Sequence, residues 1–277
     1  VLASPKLKFQ GAVRVTKLAP PQLPDLFRGE QVVVLGRYSG TGDAAITLGK
    51  EGIFSARLFY DAIAKRTFDD TATPFEIGST GDQLLLPAGW VYGATTQAMT
   101  SLDTALQPVD IGHERKSAGI AIDWRLSKAF AAFANFRRED KEGTGYAGVG
   151  NFTTALQIPE PLDSTIDSYE LGVQWTGKSA FARLSYFVQE YDDELNGLTW
   201  DNPYTSFNGA TTGRMATAPD NEMEQILLSA GAHFAYDTSI GFNAIFGKLS
   251  QDDALLPFTT NAGVSLGALP RASLNGD

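Results

Sequence analysis

The chain contains no cysteine and only two histidines, His113 and His233, among its 277 residues. The absence of cysteine excludes disulfides, a thiolate nucleophile, zinc–thiolate and iron–sulfur sites, and the thioether bonds that attach c-type haem. The two histidines lie on separate segments and lack the spacing of a bis-histidine haem or of a histidine-rich metal centre. We therefore expect a protein that binds no cofactor of its own and is not an enzyme.

Long apolar runs are also missing from the sequence. Without a run long enough for a transmembrane helix, the chain could cross a membrane only with strands. Charged residues make up 19% of the chain and its net charge is −10. An acidic chain lacks the basic surface that nucleic acid requires, so we expect no nucleic-acid partner.

Apolar and polar side chains alternate in six stretches of about ten residues between Ser117 and Leu249. Alternation with a period of two is typical of β-strands. Short turns join the stretches into pairs, and much longer segments rich in Gly, Pro, Asn and Asp separate the pairs. The predicted pairs are 117–126 with 129–138, 166–175 with 179–188, and 224–236 with 238–249.

This pattern predicts an all-β fold, namely an antiparallel transmembrane-type β-barrel that is partial and open. A tilted strand of about 9–11 residues crosses a bilayer, and short turns at one end with long loops at the other are typical of outer-membrane barrels. We therefore expect the lipid bilayer of a bacterial outer membrane as the surroundings. A soluble β-sandwich alternates in the same way, although its strands average only about 5–6 residues.

One face of such strands would meet lipid, and the other would line a polar lumen. Tyr169, Leu171 and Val173 illustrate the apolar row, whereas Phe133 interrupts the polar row of its own strand. The polar row carries the candidate residues for contact with a partner in the lumen, which are Asp123, Arg125, Arg137, Glu170, Arg183 and His233.

The first fifty residues have a different character. A Pro-rich connector precedes the apolar run Val32–Leu35, which predicts a short β-hairpin of the soluble kind. Residues of about 7–49, and the run LPDLFRGEQVVVLGRY in particular, resemble the β-rich segment after the von Willebrand A domain in inter-alpha-trypsin-inhibitor heavy-chain-like proteins. The metal-binding Asp-x-Ser-x-Ser motif of that domain is absent. We predict a boundary that separates residues 1–50 from residues 51–277.

From about residue 53 onward, an ordered series of short motifs gives a second resemblance. The motifs are LLLPAGW (84–90), GHERK (112–116), FRREDKEGTG (136–145), IPEPLDSTID (158–167), LTWDNPY (198–204), APDNE (218–222), QDDALLPFTTN (251–261) and LPRASLNGD (269–277). This series is similar to the decahaem-associated outer-membrane protein family, MtrB/PioB. The resemblance implies a barrel that sheathes a multihaem c-type cytochrome for transmembrane electron transfer to or from the cell exterior, without a redox centre in the barrel itself.

The sequence departs from that family in two ways. It holds far fewer strands than the family's barrel, and it lacks the N-terminal Cys-x-x-Cys of some members. Because the chain begins with Val1 and ends without an aromatic-ended closing strand, we expect a fragment. Most of the motifs are predicted to lie at strand ends. Pro159 and Pro161, which cannot donate to a strand ladder, are predicted to confine IPEPLD to a loop or strand start.

Two other functions remain open from the sequence. One is a soluble β-sandwich binding or adhesion module of a von Willebrand A-type protein, and the other is a general diffusion porin. Detergent dependence of solubility would separate the first from a barrel. Stable capture of a multihaem cytochrome would separate a sheath from a diffusion porin.

Overall fold

In a computed structural model, the chain folds mostly into β-strands. The structure describes residues 7–11, 14–15, 38–39, 42–151, 154–206, 209–236, 238–254, 256–257 and 259–261. The strands are β1 Leu7–Gly11, β2 Arg14–Val15, β3 Tyr38–Ser39, β4 Gly42–Lys50, β5 Phe54–Thr73, β6 Glu76–Ile77, β7 Gln83–Leu85, β8 Gln107–Arg125, β9 Phe130–Asn151, β10 Thr154–Thr176, β11 Ala180–Asp193, β12 Gly197–Asp201, β13 Thr212–Ala216, β14 Asn221–Phe234 and β15 Thr238–Ser250. Two short helical turns cover Thr96–Ala98 and Leu102–Ala105. Within these ranges, no helix has the length and apolar character needed to cross a membrane.

Nine of the strands form one large antiparallel sheet in the order β1-β4-β5-β8-β9-β10-β11-β14-β15. The three predicted pairs are confirmed as neighbours in this sheet, with Ile120 opposite Phe136, Leu171 opposite Tyr186, and Ile226 opposite Phe246. In the part of the chain that the structure describes, β1 and β15 each have one neighbour, so the sheet is open as predicted. This all-β architecture matches the expected partial barrel.

The two ends of the sheet differ in the length of their connections. At one end, residues 51–53, 126–129 and 177–179 make short turns between consecutive strands, and β14 ends at Phe234 close to the start of β15 at Thr238. At the other end, residues 74–106 link β5 to β8 and residues 194–220 link β11 to β14. At this end β9 ends at Asn151 and β10 begins at Thr154. The predicted long loop is confirmed between β11 and β14, whereas the long loop predicted between the first two pairs is wrong, because that segment extends β9 and β10.

The central strands are about twice as long as the alternating stretches predicted. β8, β9 and β10 contain 19, 22 and 23 residues. GHERK, FRREDKEGTG and IPEPLDSTID therefore lie inside strands, and the prediction that they mark strand ends is wrong. Alternation disappears in these extensions because their side chains are small, charged or proline, although the β9–β10 register runs unbroken from Thr154–Asn151 to Trp175–Phe130.

The two prolines of IPEPLD occupy an edge inside strand β10. Pro159 lies opposite Tyr146 and Pro161 lies opposite Thr144 in β9. On its other side β10 pairs with β11 only from Ser164 onward, so the prolines lie where that side has no neighbouring strand. Being two residues apart, they direct their missing N–H groups toward the same side. Proline is tolerated in a sheet at such an edge.

Strand register divides the sheet into two faces. We call the face of Tyr169, Leu171, Val173 and Trp175 the outer face, and the opposite face the inner face. Two consecutive outer rows are apolar across seven strands, namely Ala56, Ile122, Ala134, Leu171, Tyr186, Ile226 and Phe246, and Phe54, Trp124, Ala132, Val173, Leu184, Leu228 and Ala244. These rows, with the flanking rows of Tyr169 and Trp175, are the apolar band. Leu171 is 62% exposed and Phe246 is 69% exposed, as expected of side chains that face lipid.

The long connections fold into a compact unit that the sequence did not predict. We call residues 74–106 and 194–220 the loop lobe. A second, small sheet in the order β13-β12-β7-β6 runs through it, with β12 parallel to β7. Its buried core contains Phe75, Leu84, Ile158, Leu198 and Trp200. These segments, which the sequence predicts only as long loops, therefore bury an apolar core of their own.

The structure describes only part of the N-terminal segment for which predictions were made. The hairpin predicted around Val32–Leu35 lies outside the described residues. β4 pairs with β5 along its whole length, from Gly42 opposite Ala62 to Lys50 opposite Phe54, so the hairpin turn falls at the predicted boundary. The division into two domains near residue 50 stays a prediction.

Candidate functional site on the inner face of the sheet

The structure brings all six sequence-predicted site residues to the inner face. Glu170 lies in the same row as Asn135, Asp123 lies opposite Phe133, and Arg125 and Arg183 share a row through Ala131 and Gln174. Arg137 lies one row beyond Glu170, toward the loop end. His233 lies near the short-turn end, opposite Ser239. That these residues touch a partner stays a prediction.

Arg183 is part of a cluster that spans three strands. The Phe133 ring lies across Gly172, where an added Cβ would come within 2.2 Å of Phe133 Cζ. The Arg183 guanidinium lies over the same ring at 4.1 Å from its centroid. It donates to Glu170 Oε1 at 3.1 Å, and Asn135 Nδ2 donates to Glu170 Oε2 at 3.1 Å. Phe133, which interrupts the polar row in the sequence, thus supports the arginine.

Arg57 has a looser form of the same Gly–Phe–Arg arrangement, with its ring two residues away on the same strand, β5. An added Cβ at Gly119 would come within 2.4 Å of Phe59 Cζ, and the Arg57 guanidinium lies 5.9 Å from the Phe59 ring centroid. The alternating stretches predicted from the sequence begin at Ser117, so Arg57 is not among the predicted site residues. The signal was present, since Phe54, Ala56 and Leu58 alternate with Ser55 and Arg57.

The loop-side end of the inner face carries a mixed-charge network. Arg137 Nη2 donates to Glu139 Oε2 at 2.6 Å and to Ser117 Oγ at 3.0 Å. Arg115 Nη1 lies 3.6 Å from Glu139 Oε1. Because Arg137 and Arg115 are about half exposed, these ion pairs orient side chains more than they stabilise the fold.

Asp123 and His233 have fewer contacts. Ser55 Oγ donates to Asp123 Oδ2 at 3.5 Å, which is a weak hydrogen bond. The backbone N–H of His233 donates to the Ser179 carbonyl at 2.7 Å, which ties β14 to the turn before β11. Asp123 borders the Arg183 cluster as the register partner of Phe133, whereas His233 lies apart from it near the short-turn end, so the six residues line a surface and do not converge on one site.

The loop lobe covers the inner face at the long-loop end of the sheet, beyond the apolar band. Its core packs against Ile158 and Leu156 of β10 and against Ala147 and Val149 of β9. Even-numbered residues of β10 and odd-numbered residues of β9 belong to the inner face, because the register between these strands has no bulge. Tyr204 Oη donates to the Ala155 carbonyl at 3.4 Å. The lobe therefore lies on the lumen side of the long-loop end.

Two half-buried carboxyl groups, Asp193 and Glu160, lie next to the lobe, beyond the apolar band. Burial raises the pKa of Asp193, and the carboxylates of Asp220 and Asp163 raise it further, against hydrogen bonds from Leu195 and Tyr191. Burial also raises the pKa of Glu160, where Lys141 opposes the shift and Asp193 adds to it. A raised pKa means that the folded protein disfavours the ionised form of each group, so stability falls as the pH rises through the raised pKa.

Other chemistry finds no support in this geometry. Across the described residues, no group of three or more His, Asp or Glu side chains could hold a metal ion. A shallow apolar groove lies on the outer face, between Trp124, Val173 and Leu184, where lipid would fill it. The arrangement can separate an apolar surrounding from a polar occupant and can hold that occupant through fixed side chains.

Comparison with known proteins places this sheet in a family. Residues 35–277 match the model of an outer-membrane β-barrel porin family, MtrB/PioB. The chain belongs to the MtrB/PioB family. It is 28% identical over 216 residues to outer membrane protein MtrB of Shewanella baltica (strain OS185), which covers 78% of this chain and 31% of that relative. The chain thus spans about a third of the length of the curated relative it matches.

The MtrB/PioB match decides between several expectations. It confirms the family resemblance and the outer-membrane location, and it makes the soluble-sandwich interpretation wrong. The match begins at residue 35 and so takes in part of the segment that resembles the post-von Willebrand A region. That second resemblance stays a prediction, and most of its residues lie outside the described part of the chain.

Proposed function

We propose that this MtrB/PioB-family chain forms part of an outer-membrane barrel that sheathes a multihaem c-type cytochrome. The sheet keeps lipid away from the cytochrome and holds it at a fixed depth in the membrane. Electron transfer belongs to the haems of the partner, because the chain has no cysteine to bind haem covalently.

One observation carries this proposal. The same strand segments that expose the apolar band on the outer face hold Arg57, Glu170 and Arg183 on the inner face. A wall with these two faces separates lipid from a polar occupant. The name of the curated relative, outer membrane protein MtrB, agrees with the location. The loop lobe on the lumen side disfavours an open pore for free diffusion, because it lies over the inner face at the long-loop end.

Electron transfer across liposomes tests the proposal. We would reconstitute the protein with and without a decahaem c-type cytochrome, trap a redox dye inside, and add dithionite outside. We expect dye reduction only when protein and cytochrome are both present, together with stable co-purification of the two. Rapid sugar efflux through the protein alone, without capture of the cytochrome, would instead identify a diffusion porin.

A further inference from the structure

Two arginines of the inner face share an unusual support. Arg57 lies over Phe59 and Arg183 lies over Phe133, and each ring lies across a glycine of the neighbouring strand, Gly119 or Gly172. Stacking on an aromatic ring holds a guanidinium in one orientation and leaves its N–H edge free to bind a planar anion. We call the two arrangements the Gly–Phe–Arg stacks.

The charges around the stacks indicate what they bind. The relevant part of the inner face lies between the row of Ser168 and the row of Gln174. In that part there are four arginines, no lysine and two carboxylates on the described strands β5, β8–β11, β14 and β15. These are Arg57, Arg125, Arg137 and Arg183 with Asp123 and Glu170. Among the described residues, no carboxylate lies within salt-bridge distance of Arg57 or Arg125, and Arg183 uses one of its five N–H donors on Glu170.

The neighbouring part of the inner face indicates that the occupant is a protein and not a small anion. On β14 and β15 these rows of the inner face carry no charge, and the apolar pairs Met223–Leu249 and Leu227–Ile245 alternate with the pairs Gln225–Gly247 and Ser229–Asn243. Ile245 is 63% exposed and Leu249 is 71% exposed. An exposed apolar surface in a water-filled pore would be unfavourable, whereas it can pack against a protein.

We infer that Arg57 and Arg183 are carboxylate-binding points for the protein that occupies the lumen. This inference rests on the proposed sheath function and specifies the surface of the partner, which presents carboxylates to strands β5–β11 and apolar side chains to β14 and β15. Two sources supply carboxylates on a multihaem cytochrome, namely Asp and Glu side chains and haem propionates. Either would accept the planar donor edge of a stacked arginine.

The test compares affinities for a decahaem c-type cytochrome in detergent. We expect the double variant Arg57→Gln, Arg183→Gln to bind the cytochrome at least about tenfold more weakly, with a shallower salt dependence. Arg57→Lys with Arg183→Lys keeps both charges but loses the stacked geometry, and should recover only part of the affinity. Arg138→Gln, which removes an arginine from the outer face, is the matched control. It should change neither the affinity for the cytochrome nor its salt dependence.

Two further readouts separate the outcomes. If propionates are the ligand, binding to the parent protein shifts the midpoint potential of a haem, and the double variant loses that shift. If side-chain carboxylates are the ligand, amidating them on the cytochrome weakens binding to the parent but not to the double variant. Unchanged affinity and salt dependence in a correctly folded double variant would overturn the inference. Failure of the parent protein to retain any cytochrome would overturn the proposed function itself.

Discussion

Gly172 lacks a side chain at the point where the Phe133 ring crosses strand β10. Its role is spatial, because an added Cβ would meet Phe133 Cζ at 2.2 Å and the Leu184 carbonyl oxygen at 2.9 Å. The ring in turn supports Arg183. A single missing methyl group therefore positions an aromatic ring, a cation and a carboxylate on three strands. At the scale of single residues, the inner face is organised by such close contacts and the outer face by exposure to lipid.

Gly172→Ala should destabilise the protein by about 1–3 kcal/mol, because the methyl group overpacks the Phe133 site. Gly241→Ala is the matched control, since nothing lies within 4 Å of an added Cβ at that position. Denaturant unfolding in lipid measures both changes. Equal stabilities for the two variants would show that Phe133 moves away at no cost.

Leu171→Arg should cost about 2–4 kcal/mol in a bilayer, because it places a charge near the middle of the apolar band. Gln174→Arg, three residues away on the inner face, should cost about 1 kcal/mol or less, because it avoids lipid and adds only the repulsion of the exposed Arg183 opposite it. The same comparison holds for Ile226→Arg against Ser229→Arg on β14. A lipid-reconstituted unfolding titration in which both members of a pair lose the same stability would contradict the assignment of faces.

At the scale of elements, the β9–β10 hairpin extends well beyond the apolar band. Its far part pairs with β8 on one side only as far as Gly112, and Pro159 and Pro161 lie at the open edge of β10. Two strands alone are marginally stable in water. The loop lobe supplies the missing packing, because Ile158 at 1% exposure enters its core with Leu198 and Trp200.

Lowering the pH from 7 toward the ordinary carboxyl range of about 4 should stabilise the loop lobe. The pKa values of Asp193 and Glu160 are raised in the folded lobe. The folded state therefore binds more protons than the unfolded state between the ordinary and the raised pKa, and stability falls as the pH rises through that window. Hydrogen-exchange protection factors of the β12 amides measure this change.

The double variant Asp193→Asn, Glu160→Gln is the control for this pH dependence. It removes both titrating groups and keeps an acceptor oxygen for the amide of Leu195, which donates to Asp193 Oδ1 at 3.0 Å. Its protection factors should change less with pH than those of the parent. A pH dependence of the same size in both proteins would assign the effect to other groups.

At the scale of the whole molecule, the sheet is open along its described edges. β15 is an edge strand whose Phe246 and Leu249 are 69% and 71% exposed. Unpaired N–H and C=O groups along such an edge pair readily with another strand. In a larger barrel they would meet further strands of the wall, whereas the isolated chain leaves them available to other copies.

The isolated chain should therefore self-associate in detergent through the β15 edge. Gly241→Lys places a lysine on this strand where an added Cβ has no neighbour within 4 Å, and lysine on an edge strand opposes pairing. Sedimentation should show a shift toward monomer for Gly241→Lys and no shift for Gly241→Ala. Identical size distributions for all three proteins would locate the association elsewhere.

The sequence by itself determined the faces of the sheet, because alternation is a local property with a period of two residues. Asp123, Glu170, Arg183 and the other predicted residues therefore lie on one face as expected, and the short turns locate the confirmed hairpins. Arg57 was within reach of the same reasoning and was missed because strand β5 was not recognised.

Only the tertiary structure decided the rest. Phe75, Leu84, Ile158, Leu198 and Trp200 come from three segments spread between residues 75 and 200, and no local pattern predicts that they share a core. The extensions of β8–β10 form although their composition is typical of loops, because neighbouring strands and the lobe satisfy their backbone groups. The Gly–Phe–Arg stacks depend on cross-strand register, which brings together residues from different strands.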